Sequence, residues 1–406
     1  MHDATTAQGR RRELTGAVAI AAVATLIGVM FMASTLPTPL YRLYEQTFHF
    51  SRLTLTLVYA TYALGNLLAL SFGRWSDTIG RRPVSLLAIA IGCLSTLLYL
   101  FATGTAWLFG ARAASGLAIG LLAGTATAWI AELDSKSDKG RATTIAISSN
   151  FAGLGMGALL AGLLAQYAPW PLHLSFVVYL GVLLVAAAVI LHTYDTSATA
   201  ERGIGDLSLR PRIGVPRSIR ARFISPAATA FSTMALAGFY AALIPGILSE
   251  NLGETNRAVA GAVVFELAII VAITGVLTRQ LESRIAMLSG LALLLPGLAL
   301  LVAAQTLGSM ALLFAGTALS GLAIALGYRG SLQVVNQIAP ADRRAEVVSA
   351  YLVAGFAGNA LPVIGVGMIS NVANSKLASL VFAATIAGFA IAAIVIGLKF
   401  PVTADQ

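Results

Sequence analysis

The chain has 406 residues, 58% of them hydrophobic and only 11% charged, and its mean hydropathy is +0.84, whereas a soluble domain carries roughly a quarter charged residues. Apolar runs of about 20 residues, the length that crosses a bilayer core, recur along nearly the whole chain and exclude a soluble globular protein. The net charge of +9 lies in short loops between those runs, so its expected partner is the lipid surface and not nucleic acid.

The first predicted span, residues 14–37, follows Arg10, Arg11 and Arg12 and has no short signal-peptide core, so it is expected to be a retained helix. Further spans are predicted at 53–73, 84–104, 107–130, 143–166, 173–193, 224–248, 258–278, 285–304, 308–330, 345–369 and 377–399. The fold class expected is therefore an all-α membrane protein of twelve transmembrane helices in two six-helix bundles. Backbone amides in hydrocarbon must be bonded within their own segment, and these runs are too long for barrel strands. Twenty of the 26 lysines and arginines fall on one side, against Arg42, Arg52, Arg257 and Lys376 on the other. The positive-inside rule then expects both termini in the cytoplasm and the protein in the cytoplasmic membrane.

Between the second and third spans runs Gly73-Arg74-Trp75-Ser76-Asp77-Thr78-Ile79-Gly80-Arg81-Arg82-Pro83. Its glycines permit a tight turn, Asp77 offers an anion to a helix N-terminus, and the arginines can pair with acids or phosphate. The stretch resembles the signature loop of the major facilitator superfamily, G-x-x-x-D-x-x-G-R-R, through Gly73, Asp77, Gly80, Arg81 and Arg82; Trp75, Ser76 and Thr78 replace the usual Leu, Ala and Arg. The resemblance implies the two-bundle fold, a monomer, a small-molecule substrate and a cytoplasmic latch that helps hold the outward-facing state.

Arg112 lies inside the fourth span, four residues before Gly116 on a stripe continued by Gly120 and Gly124. A cation at that depth faces either the bundle interior or water, or else snorkels to the nearby interface. The stripe is similar to the family's R-x-x-x-G signature, associated there with proton coupling. In the fifth span, Ala152 to Gly162 resembles the G-x-x-x-G-P-x-x-G-G stretch of drug exporters: Gly157 and Gly162 fit, whereas Ala152, Ala158 and Ala161 depart from it. The departure leaves glycine packing as a sufficient explanation.

The polar interval around 194–223 divides the chain into an N-terminal half (1–195), a cytoplasmic linker (196–221) and a C-terminal half (222–406). Ser115-Gly116-Leu117-Ala118-Ile119 recurs as Ser320-Gly321-Leu322-Ala323-Ile324, in the fourth span of each half, as an internal duplication predicts. The second half's counterpart of the signature loop, Gly275 to Arg284, carries Arg279 where the first has an aspartate, and reads as a degraded latch.

In the eighth span Glu266 is the one carboxylate well inside any predicted span, with Ala262 and Ile270 flanking it at helical spacing. A carboxyl group in apolar surroundings can take up and release a proton, which suits a proton-coupling or substrate-contact residue and equally a buried structural acid. Thr38, Tyr62, Asn66, Asn150, Tyr240, Gln333, Asn336 and Asn359 are the polar positions that could line a central path; sparse and neutral, they suit a lipophilic or neutral substrate. Arg329, near the cytoplasmic end of its span, reads as an interface anchor.

The chain has no phosphate loop, no H-E-x-x-H, no nucleophile elbow and one cysteine, Cys93, so neither a cofactor, a metal nor enzymatic chemistry is expected. The function expected is secondary active transport, with proton-coupled export of small lipophilic or neutral molecules leading. Uptake of an organic solute by symport or uniport stays open, as does a non-transporting membrane sensor.

Overall fold

A computed structural model of the protein describes residues 13–72, 75–134, 139–196 and 213–400. Gly73, Arg74 and most of the 196–221 linker lie outside the described residues. The described chain forms α1 (Gly16–Thr35), α2 (Tyr41–Phe48), α3 (Arg52–Ala69), α4 (Trp75–Ile79), α5 (Arg81–Leu100), α6 (Thr105–Leu133), α7 (Lys139–Tyr167) and α8 (Leu174–Leu191). After the linker come α9 (Arg220–Asn251), α10 (Arg257–Leu277), α11 (Ser283–Leu307), α12 (Met310–Ile338), α13 (Arg344–Val372) and α14 (Ser375–Lys399). With α1 and α2 counted as one broken span and α4 set aside as a loop helix, twelve helices are long and apolar enough to cross a membrane.

Every predicted span finds its helix, and the differences have local causes. Pro37 and Pro39 end α1 and leave a 3-10 turn at Thr38–Leu40 before α2, because a proline ring cannot continue the ladder of backbone hydrogen bonds. Helix α12 runs to Ile338, past the predicted end at 330. Its last two turns carry Gln333, Asn336 and Gln337, too polar for an apolar run yet good enough helix formers, and the first true stop is Pro340.

One apolar core is built from α1, α3, α5, α6, α7 and α8, and another from α9 through α12 with α14. Small residues set how closely the helices approach. Gly65 of α3 and Gly116 of α6 face each other's backbone, and Gly120 meets Asn66 and Ala69, so two turns of the predicted glycine stripe form a backbone-to-backbone seam. Gly124 faces open space. In the second bundle Gly321 takes the place of Gly116 and packs on Ile270 and Leu267 of α10, so the repeated pentapeptide does the same job twice. The bundles meet where α7 lies against α10 and α3 against α13: Gly162 faces Arg257, Ala258 and Gly261, while Gly261 faces Ala158 and Leu159.

Candidate functional site

Among the described residues, polar clusters lie at each face and two more interrupt the apolar interior; the charge-poor face is the one bearing Arg42, Arg52, Arg257 and Lys376. The first cluster lies on the opposite, basic face. Gly80 has φ +113, a left-handed value that favours glycine, and it turns the chain into α5. The freed amides of Arg81 and Arg82 donate to Oδ1 and Oδ2 of Asp195, both at 3.1 Å, so a carboxylate 114 residues away caps the helix. The Arg81 guanidinium, largely buried, donates from Nη1 to Asp77 Oδ1 (2.7 Å) and Ser76 Oγ (2.6 Å). It also grips Glu132 with both Nη2 (2.7 Å) and Nε (3.2 Å), the bidentate fork that arginine forms best. Arg82 reaches Glu13 at 3.4 Å and the last carbonyls of α8 through Leu191 O. Asp77, Gly80, Arg81 and Arg82 are thus brought together; Gly73 lies outside the described residues. Glu132, Asp195 and Glu13 were not read from the sequence, since nothing local to them marks their partner.

The second half repeats this knot without charge. In loop register Ser283 stands at Arg81's place, and in helix register Gln337 stands at that of Glu132. Gln337 Nε2 donates to Ser283 Oγ at 3.2 Å, and that hydroxyl donates to Gln333 Oε1 at 3.3 Å. Arg284 caps the end of α14 at Gly397 O (3.1 Å), as Arg82 does for α8. The second loop therefore carries a neutral hydrogen-bonded pair, Ser283 and Gln337, where the first has the Arg81–Glu132 ion pair. Arg329 corrects a sequence expectation: it is 4% exposed and donates to Leu281 O at 3.3 Å, beneath the α10–α11 loop. Because α12 continues two turns beyond it, the side chain lies within the bundle and not at the interface.

The second cluster surrounds Arg112, which is fully buried, so the snorkelling alternative is overturned. Its Nη1 donates to Ser34 O at 2.8 Å, and its guanidinium carbon stands 5.0 Å from the Tyr59 ring centre and 5.1 Å from that of Tyr62. Tyr59 in turn donates to Asn359 Oδ1 at 3.2 Å, and Asn359 Nδ2 donates to Met234 O at 3.3 Å, so this polar chain crosses from one bundle to the other.

The third cluster lies in α10 and its neighbours. Glu266 is half-buried, and its Oε2 is buried with no hydrogen-bond partner. Asn150 of α7 is likewise half-buried, and its Oδ1 has no partner. Tyr240 lies within electrostatic reach of Glu266 but is fully buried, accepting from Thr317 (3.2 Å) and facing Ser320 Oγ (3.4 Å).

Of the predicted lining positions, Thr38, Tyr62, Asn66 and Tyr240 are buried in this conformation: Thr38 donates to Ala241 O (2.7 Å) and Asn66 to Tyr62 O (3.0 Å). Short polar side chains in lipid satisfy themselves on nearby carbonyls, which removes them from an open surface. Asn150, Gln333, Asn336 and Asn359 stay half-buried; Asn336 donates to Leu332 O of its own helix at 3.0 Å.

At the charge-poor face, Glu250 of the second bundle accepts from Arg42 (3.2 Å) and from Arg52, both of the first, while Arg42 also holds Glu45 at 3.1 Å. These pairs rim a pocket whose walls include Tyr41, Leu55, Pro245 and Val366.

Comparison with known proteins agrees with this architecture. The model of the Major Facilitator Superfamily matches residues 18–363. Multidrug resistance protein 2 of Bacillus subtilis (strain 168) is 28% identical over 141 residues, 34% of this chain and 35% of that protein. An uncharacterized MFS-type transporter of the same organism, YybF, is 29% identical over 158 residues, 37% of each. The matched stretches therefore span about a third of these curated relatives. Among solved structures, a bacterial homologue of the human lysosomal transporter Spinster, inward-facing and unoccupied, superposes with a TM-score of 0.72 at 18% identity, covering 95% of this chain and 98% of that one. The human organic anion transporter MFSD10 (TETRAN) gives 0.68 at 16% identity, covering 93% and 98%. At these identities the likeness is one of fold.

Proposed function

Since the chain belongs to the major facilitator superfamily, a family of membrane transporters, we propose that it is a proton-coupled secondary transporter exporting small lipophilic or neutral molecules. Residues 1–195 rock against 222–406 about the linker 196–221, with both termini in the cytoplasm of the cell whose inner membrane holds it. The observation that carries this reading is Glu266, a carboxyl group midway along a spanning helix with an orphaned oxygen and no ion pair among the described residues. Such a group is costly as an unpaired anion, so a proton or a substrate contact is what completes it. Arg112 stays charged throughout the cycle, which makes its part in coupling electrostatic and not one of proton transfer.

Most polar ties between bundles support a conformation closed at the charge-poor face: Arg42 and Arg52 to Glu250, Thr38 to Ala241 and Tyr59 to Asn359 lie from mid-membrane toward that face, while Ser148 to Ala272 O (3.3 Å) lies on the basic half. The partial likeness to a multidrug resistance protein supports export. Uptake of an organic solute is the second reading, favoured by Ala152, Ala158 and Ala161, which depart from the drug-exporter pattern in α7. A pH-gradient screen in inverted vesicles separates them. Export predicts accumulation of lipophilic compounds driven by an acidic lumen and abolished by a protonophore; accumulation indifferent to the proton gradient would refute coupling.

A further inference from the structure

The surroundings of Arg112 contain more than a transport mechanism requires. Tyr41, Tyr59, Tyr62 and Tyr99 all lie within electrostatic reach of the guanidinium, and Tyr44 stands behind them with its ring centre 6.4 Å from that of Tyr99. Arg112 makes one hydrogen bond, to Ser34 O. Its Nε and Nη2, together with the hydroxyls of Tyr41, Tyr44 and Tyr99, are buried and unpartnered. The Tyr99 hydroxyl approaches the guanidinium without completing a bond to it.

Four of these atoms, Arg112 Nε and Nη2 and the hydroxyls of Tyr41 and Tyr99, are donors or hydroxyls able to donate beside a full positive charge. None of the ion pairs among the described residues involves Arg112. Buried polar groups are satisfied in the great majority of cases, and buried charges are paired. A water molecule can bridge these donors, since the tyrosine hydroxyls also accept, but it leaves the buried guanidinium charge unneutralised. An anion accepts from the same donors and neutralises that charge.

We infer that the Arg112–tyrosine cage is a binding site for a small monovalent inorganic anion of the halide class. Arg112 and the four tyrosines around it are each at most 8% exposed, which suits a small ion only. Tyr41, shared by the cage and the pocket at the charge-poor face, marks the entry. The site is structural to the first bundle, and its occupancy does not depend on what the protein carries.

The test uses the purified full-length protein at constant pH and sodium concentration, with chloride or bromide exchanged for gluconate. Halide should raise the unfolding midpoint in proportion to the logarithm of its concentration, as a ligand of the folded state does, and gluconate should not. Arg112→Gln should abolish the halide response. Tyr99→Phe, which keeps the ring and removes one donor, should weaken apparent halide affinity about tenfold, and it decides the matter alone if Arg112→Gln fails to fold. An unfolding midpoint equal in halide and gluconate, or a wild-type halide response surviving in Tyr99→Phe and in a folded Arg112→Gln, would overturn the site in favour of water. Neither result bears on proton coupling, which the vesicle assay reads separately.

Discussion

Arg81 shows how one side chain can organise a loop: it holds Asp77, Ser76 and Glu132 at once while its backbone amide is capped by Asp195. The second bundle replaces the same ion pair by Ser283 and Gln337, which yields a prediction at this scale. Glu132→Gln alone leaves a largely buried guanidinium short of its bidentate partner and should destabilise the protein by about 1–3 kcal/mol. Adding Arg81→Ser to it installs the neutral pair of the second half and should recover part of that loss, a positive coupling measurable by denaturation of the four proteins of the cycle. The motif spacing made Asp77, Gly80, Arg81 and Arg82 legible in the sequence, because they lie within six residues of one another. Glu132, Asp195 and Glu250 were not legible: their partners stand 51, 114 and 198 residues away, a separation that only packing closes. The same reason hid which way Tyr240 and Asn66 point. A polar residue on an apolar helix announces itself, whereas its facing depends on neighbours from other parts of the chain.

Helices were the most legible level of all. Length and hydropathy fixed the twelve spans; the polar last turns of α12, the broken α1–α2 segment and the short loop helix α4 departed from expectation. Glycine spacing carried further information: Gly116 and Gly120 form the α3–α6 seam where the stripe predicted a groove, although Gly124 takes no part. Membrane helices gain little hydrophobic energy by touching each other, so such seams depend on close van der Waals contact. Gly116→Leu would drive a side chain into the Tyr62 carbonyl and should cost about 1–3 kcal/mol or more, seen as a lowered midpoint of thermal unfolding. Gly124→Leu, at a position with open space, should leave that midpoint nearly unchanged. Equal losses in the two variants would show that the seam is not what holds α3 to α6.

For the whole molecule, the two bundles are tied at the charge-poor face through Glu250, which bridges two arginines of the other bundle. Partly exposed ion pairs contribute only about 0–1 kcal/mol each, enough to bias an equilibrium between conformations of similar energy but not to define the fold. Glu250→Gln should therefore leave unfolding almost unaltered and shift the population toward an opening at that face. Spin labels at Thr47 and Thr255, both exposed there, should report a larger long-distance fraction in the variant; an unchanged distance distribution would remove Glu250 from the gate.

The account as a whole depends on Glu266 being the group through which the proton gradient is felt. In inverted vesicles loaded with a substrate found by the pH-gradient screen, Glu266→Gln should keep substrate counterflow, which needs no gradient, and lose accumulation driven by the acidic lumen. Gradient-driven accumulation at the wild-type level in that variant would contradict the mechanism proposed.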